Sequence, residues 1–190
     1  LKLLAIGRIG PEKNVMNMIK ALVLFHDKWG WVPELNWVGR KDESKEGHPY
    51  GKEIEDLLEI SPSAVKNHVH FLGEKGLIHE VLAEHDALVH PSLFEGMPNV
   101  ICEALAAGKP VIASNVSDNG RLVAEGERGF LFDPNDLSSI AFAIKQLSDL
   151  PSERWVGISE NCRSYSEETL SLHKLVSQYE DLFRQITSAK

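Results

Sequence analysis

One pattern repeats from Leu3 to Phe132 and limits the possible folds more than any single motif does. A short apolar run is followed by a stop, and then by apolar residues at helical spacing. The runs are 3–6, 35–38, 69–72, 87–90, 111–113 and 130–132, and the first three end at Gly7, Gly39 and Gly73. Runs this short, with no polar alternation, predict strands buried on both faces. Val15, Met18, Ile19, Leu22 and Val23 recur with a helical period, as do Ile54, Leu57 and Leu58, and Leu77, Ile78, Val81 and Leu82. A helix is expected over 98–107 and a short one at Leu122 and Val123. Beyond Asp133 the strands cease and helices are expected over 137–147, 152–162 and 167–186, with Tyr165 at the last break. Six strands alternating with helices predict an α/β fold: a mostly parallel six-stranded sheet, helices on both faces, and C-terminal helices. A ligand then belongs beyond the carboxyl ends of the strands, in the loops after Ile6, Val38, Leu72, His90 and Ala113.

Composition narrows the partners. With 20 Lys+Arg against 28 Asp+Glu the net charge is −8, which disfavours binding nucleic acid or an anionic membrane through bulk charge. No run approaches the roughly 18 apolar residues of a membrane span. Cys102 and Cys162 match no metal-binding spacing and are expected as packed free thiols of a cytoplasmic protein. His68 and His70 read as strand-edge histidines, and Trp29, Trp31 and Trp37 as packing residues. His90 ends the fourth strand and is expected to pack there or to support the site. Asn115-Val116-Ser117 is a formal glycosylation sequon without meaning in the cytoplasm, and the polar stretch 40–48 (RKDESKEGH) is expected as an exposed loop.

Two loops carry chemistry. After the first strand, 7–14 (GRIGPEKN) is neither GxGxxG nor a P-loop. It sets two cations, Arg8 and Lys13, before a helix for which Asn14 is a fair N-cap. Cations oppose the helix dipole there, and a bound polyphosphate would relieve both. After the fourth strand, Glu95-Gly96-Met97-Pro98 leads into a helix ending at Gly108 and Pro110. Pro98 suits the first turn, and Gly108 the C′ position. The open amides of that first turn make an anion site, and two carboxylates, Glu95 and Glu103, frame it in an E-x7-E spacing. Taken alone, Arg8 and Lys13 read as surface cations, Glu95 as a dipole partner and Glu103 as a solvated helix residue.

Together, GRIGPEKN at 7–14, VHFLG at 69–73, HPSLFEGMPNVICEALAAGKPVIASNV at 90–116 and EGERGFLFDPND at 125–136 resemble the C-terminal, donor-binding domain of retaining glycosyltransferases of the GT4 type (glycosyl transferases group 1). The resemblance spans nearly the whole chain. It implies one half of a GT-B fold: a single Rossmann-like, nucleotide-sugar-binding domain over 1–190, separated from an N-terminal acceptor domain. The last segment, about 167–190, is expected to reach back to that other domain. Carried over by position, Arg8 and Lys13 would contact the diphosphate and Glu95 the donor-sugar hydroxyls. Amides of Gly96, Met97, Asn99 and Val100 would line sugar and phosphates, and Glu103 would hold the ribose diol. Leu72, Gly73 and Leu77 lie near where the family places the base.

The implied reaction moves a sugar from a nucleotide-diphosphate sugar, UDP or GDP, to an acceptor glycan or lipid-linked glycan, with retention. Surface polysaccharide or glycoconjugate synthesis is the implied setting. No cofactor or metal is implied, and the isolated chain is expected to be inactive. The implied location is cytoplasmic, with the whole protein at the inner membrane face and no membrane contact from this half. Many members read EGFG where this chain reads EGMP. Alternatives are a nucleotide-sugar epimerase of the same fold, or a non-catalytic nucleotide-binding domain. A glycosyl phosphorylase would need a pyridoxal lysine context that is missing from the sequence.

Overall fold

In the first strand, β1 (Lys2–Ile6), Leu3 and Ala5 turn to one face while Leu4 turns to the other, and all three are fully buried. A strand covered on both faces needs helices above and below, and the computed structural model supplies them. It describes residues 1–41 and 50–188. Five further strands follow: β2 (Glu34–Val38), β3 (Val69–Phe71), β4 (Ala87–His90), β5 (Val111–Ser114) and β6 (Gly129–Phe132). Each paired neighbour runs parallel, in the order β3-β2-β1-β4-β5-β6. This is the Rossmann-like order, and its reversal between β1 and β4 opens a crevice at their carboxyl ends.

Helices α1 (Val15–Trp29), α2 (Tyr50–Ile60), α3 (Ser63–Lys66) and α7 (Leu137–Ser148) close one face, with Met18, Ile19, Phe25 and Ile144 fully buried against Leu3, Leu35 and Val89. On the other face lie α4 (Ile78–Ala83), α5 (Asn99–Ala106), α6 (Asn119–Val123) and α8 (Ser152–Tyr165). They set Leu82, Ile101, Leu105, Leu122 and Ile158 on Leu4, Leu88 and Val111. Each fully buried aliphatic side chain contributes about 1.5–3 kcal/mol of transfer free energy, so the two layers hold the sheet firmly. The expected helix stop at Gly108 is present. Its φ of +65° suits glycine, and Lys109 N–H to Ala104 C=O with Gly108 N–H to Leu105 C=O completes a Schellman cap.

Several local expectations are corrected. Asn14 sits at the N-cap of α1, but with φ 59° its side chain cannot reach back, and its Nδ2 donates instead to the Pro134 carbonyl at 2.8 Å. Pro98 lies just before α5 instead of within it, and its carbonyl takes the Ile101 amide at 3.1 Å. The terminal helix is broken at Ser171, not Tyr165. Helix α8 runs on through a π-helical turn (Ser166–Leu170) that packs Leu170 on the core, and α9 (Leu172–Ser188) starts afresh. Extended Ser171 accepts the Lys174 amide on its Oγ, an N-cap the apolar periodicity conceals. The short α3 and a 3-10 turn at Pro11–Lys13 were not anticipated. Of the polar stretch 40–48, only Arg40 and Lys41 belong to the described residues.

Packing residues fall where their chemistry predicts. Trp37 is buried, and Trp29 and Trp31 meet the Phe25 ring at 4.6 and 4.9 Å. Cys102 and Cys162 are free thiols, and burial pushes Cys162 up to about 12. His68 and His70 are exposed, the first just before edge strand β3 and the second within it. Helix α9 leaves Leu172, Leu175, Val176, Tyr179, Leu182, Phe183 and Ile186 between 47% and 74% exposed. Among the described residues no helix is long and apolar enough to cross a membrane.

Candidate functional site

At the carboxyl edge of the sheet, Glu95 is the meeting point of three elements. Its Oε1 accepts from Lys13 Nζ, of the turn after β1, and from His90 Nε2, at the end of β4, at 3.0 Å. A carboxylate only accepts, so His90 must carry its proton on Nε2. The ion pair is partly shielded, with side chains 21% and 15% exposed, and His90 is 2% exposed. Gly7 leaves room for the reach, since a Cβ there would crowd the Lys13 side chain at 3.2 Å as it passes over. The bond from His90 is the largest cause holding the Glu95 carboxyl down, to about 2; burial opposes it, and Lys13 and Ser92 add to it.

The sign follows from linkage. A folded pKa of about 2 against an ordinary 4.5 favours the native state above pH 4.5, and the benefit is lost as pH falls toward 2. The carboxyl-carbon resonance of Glu95 should therefore titrate near 2, and His90→Phe should move the midpoint toward the ordinary range. An unchanged midpoint in that variant would mean that His90 does not hold the charge.

The other predicted cation goes elsewhere. Arg8 is exposed, donates to Glu12 Oε1 at 2.7 Å, and lines a cavity of about 510 Å³ with Gly7, Gly39 and Lys75. Glu103 lines a second cavity of about 570 Å³ with Leu77, His79 and Arg163. Gly76 and Ile78 belong to both walls, so the cavities adjoin. Leu72 and Gly73 line neither; Leu72 is exposed, and the Gly73 carbonyl accepts the Gly39 amide at 2.9 Å.

Between the carboxylates, Gly96, Met97 and Asn99 are exposed, and Val100 is half-buried against the core, so its contribution is its backbone. The Ile101 and Cys102 amides already bond the Pro98 carbonyl, which leaves those of Asn99 and Val100 as the open donors of the first turn among the described residues. Such amides favour an anion.

Sequence reasoning missed the residues behind this loop. Ser114 Oγ donates to the Ser92 carbonyl at 2.6 Å, Asn119 Nδ2 to the Ser114 carbonyl at 2.9 Å, and Ser117 Oγ to the Glu95 carbonyl at 2.6 Å. Lys75 and Arg163 were missed as well. Lys75 follows the VHFLG segment and could have been found as a loop cation. Arg163 carries no local signal, because it enters from α8.

Among the described residues no three of His, Cys, Asp or Glu are grouped as metal ligands.

Residues 1–149 match the family model of glycosyl transferases group 1. The chain is 35% identical over 181 residues to an Escherichia coli UDP-Gal:alpha-D-GlcNAc-diphosphoundecaprenol alpha-1,3-galactosyltransferase, covering 94% of this chain and 44% of that protein. It is 31% identical over 138 residues to the Bacillus anthracis N-acetyl-alpha-D-glucosaminyl L-malate synthase, covering 72% and 36%. The chain thus spans less than half the length of these curated relatives. The fold matches the crystal structure of Anabaena Alr3699/HepE in complex with UDP (TM-score 0.81, 23% identity, 96% of this chain and 48% of that one). It also matches the C-terminal domain of the Francisella tularensis group 1 protein LpcC (TM-score 0.74, 20% identity, 90% and 87%). The family model, matched over 1–149, and the relative 35% identical over 94% of the chain lead to one conclusion: the chain belongs to the glycosyl transferases group 1.

Proposed function

We propose that this chain is the donor-binding half of a glycosyltransferase that takes a sugar from a nucleotide-diphosphate sugar with retention, in glycoconjugate or surface polysaccharide synthesis. The observation that carries the reading is the Lys13–Glu95 pair beside open helix amides at the sheet's carboxyl edge. The galactosyltransferase relative is named for a UDP-sugar donor, and the Anabaena structure holds UDP, which favours UDP over GDP. Arg8 and Lys13 bind the diphosphate, Glu95 the sugar hydroxyls, and Glu103 the ribose diol. Leu77 shares the Glu103 cavity, which supports a base site there; for Leu72 and Gly73, which line neither cavity, a base contact rests on the resemblance alone. The amides of Gly96, Met97, Asn99 and Val100 complete the cradle.

Charge grows on the departing diphosphate as the glycosidic bond breaks. A fixed cation and a helix start stabilise that charge more in the transition state than in the ground state. The diphosphate draws Lys13 from Glu95, and His90 keeps the freed carboxylate ionised for the sugar. Neither a metal nor a cofactor is required in this scheme. The acceptor and the rest of the active site belong to a separate N-terminal domain, on which the apolar stripe of α9 would pack, so the isolated chain binds donor and transfers nothing. The setting is the cytoplasmic side of a membrane.

Calorimetric titration with UDP, GDP and ADP tests the reading. UDP should bind best, and Glu103→Ala should weaken it about 10- to 100-fold, the worth of a carboxylate hydrogen bond to a diol. Absence of binding by all three, or equal binding by the variant, would remove the assignment.

A further inference from the structure

Ser117 occupies a backbone conformation that serine seldom takes. Its φ is +48°, in the left-handed region, in the loop between β5 and α6. Such a conformation costs about 1 kcal/mol or more for a residue with a Cβ, and it persists where something nearby depends on it. What depends on it here is a hydrogen bond: the Ser117 hydroxyl donates to the Glu95 carbonyl at 2.6 Å.

That carbonyl shares a rigid peptide plane with the Gly96 amide, and the two point in opposite directions. Fixing one aims the other. Without the bond the plane has little to hold it. Gly96 is exposed, and a Cβ built on it would meet nothing within 4 Å, so nothing packs on the Gly96 side of the plane to hold it. Glycine also tolerates both orientations of the flanking peptide. The neighbouring bond from Ser114 to the Ser92 carbonyl anchors the start of the same loop, three residues earlier, and cannot orient the 95–96 peptide.

We infer that Ser117 is a positioning residue: its hydroxyl locks the Glu95–Gly96 peptide so that the Gly96 N–H stays turned away from Ser117, toward the diphosphate of the donor. The inference rests on the donor-site reading and adds a residue that touches no substrate. It explains why a strained serine sits where a relaxed residue would fit. The strain sets the hydroxyl within reach of the loop.

Two variants separate positioning from a structural role. Ser117→Ala and Ser117→Gly both lose the hydroxyl, but only glycine relieves the left-handed strain, so the glycine variant should melt higher than the alanine variant. Titration of the chain with UDP should show both weakened alike, by about 3- to 10-fold, the worth of one exposed hydrogen bond. Backbone nitrogen relaxation should show a lower order parameter for the Gly96 amide in both, because the peptide plane is then free to rotate. Affinity that tracks melting temperature, or a Gly96 order parameter that is unaltered, would overturn the inference. If the wild-type chain binds no nucleotide but the order parameters fall as expected, the lock stands and the donor-site reading falls.

Discussion

Replacing Lys13 with alanine is expected to slow glycosyl transfer by the whole protein about 100- to 1,000-fold, the usual effect of removing one preorganised donor to a developing anion. The fold should survive the change. Lys13 is held in its turn by its own amide, bonded to the Gly10 carbonyl at 3.1 Å, and its side chain adds no core packing. Glu95 should stay ionised, because His90 remains on the same oxygen. If the proposed donor site is right, the loss should fall mainly on kcat, since the ammonium would meet its largest charge when the diphosphate leaves. Measured kcat and KM for Lys13→Ala decide the point. A variant that raises KM and leaves kcat intact would show that Lys13 only helps to hold the ground state.

Lys13 also illustrates which parts of the site can be read from sequence. Buried parallel strands announce themselves as short apolar runs, so all six were legible, and the rule that ligands lie beyond their carboxyl ends pointed to the loops holding Arg8, Lys13 and Glu95. The pairing of Lys13 with Glu95, 82 positions apart, was not legible. It follows from the sheet order, which sets β1 against β4, and no local spacing encodes that order. The same holds for Asn14, whose tie to Pro134 crosses 120 positions, and for Arg163, which reaches the Glu103 cavity from α8. Ser117 was concealed for another reason. Its importance lies in a backbone angle, and a serine in a polar loop gives no sign of it. The resemblance to a family suggests roles for the residues proposed to meet the ligand and leaves their supports unnamed. The break at Ser171 was missed because a single serine outweighed a continuous apolar period.

Gly39→Ala should be the most destabilising of the small substitutions near the site. An added Cβ would lie 2.0 Å from the Gly7 carbonyl oxygen and 2.6 Å from its carbon, at a φ of +149°. The obstacle is backbone, so no side chain can swing away. The carboxyl ends of β1 and β2 would have to part, straining the bonds from Gly7 N–H to Val38 and from Ile9 N–H to Arg40, both 2.9 Å. Overpacking and backbone strain together suggest a cost of about 3–5 kcal/mol. For a chain of this size that lowers the melting temperature by roughly 10 °C. Gly157→Ala is the matching control. Gly157 lies inside α8 with nothing within 4 Å of its would-be Cβ, so alanine there should stabilise by about 0.5–1 kcal/mol. One chemical change should thus move the melting temperature in opposite directions at two glycines. The effect at Gly39 should extend to function, because Gly7 is the surface that Lys13 crosses and Gly39 lines the cavity beside Arg8. Nucleotide affinity measured well below the variant's melting point should therefore fall even where the chain is fully folded. A Gly39→Ala chain that melts with the wild type and binds nucleotide equally well would mean that β1 and β2 do not approach as closely as described, and that Lys13 reaches Glu95 by another path.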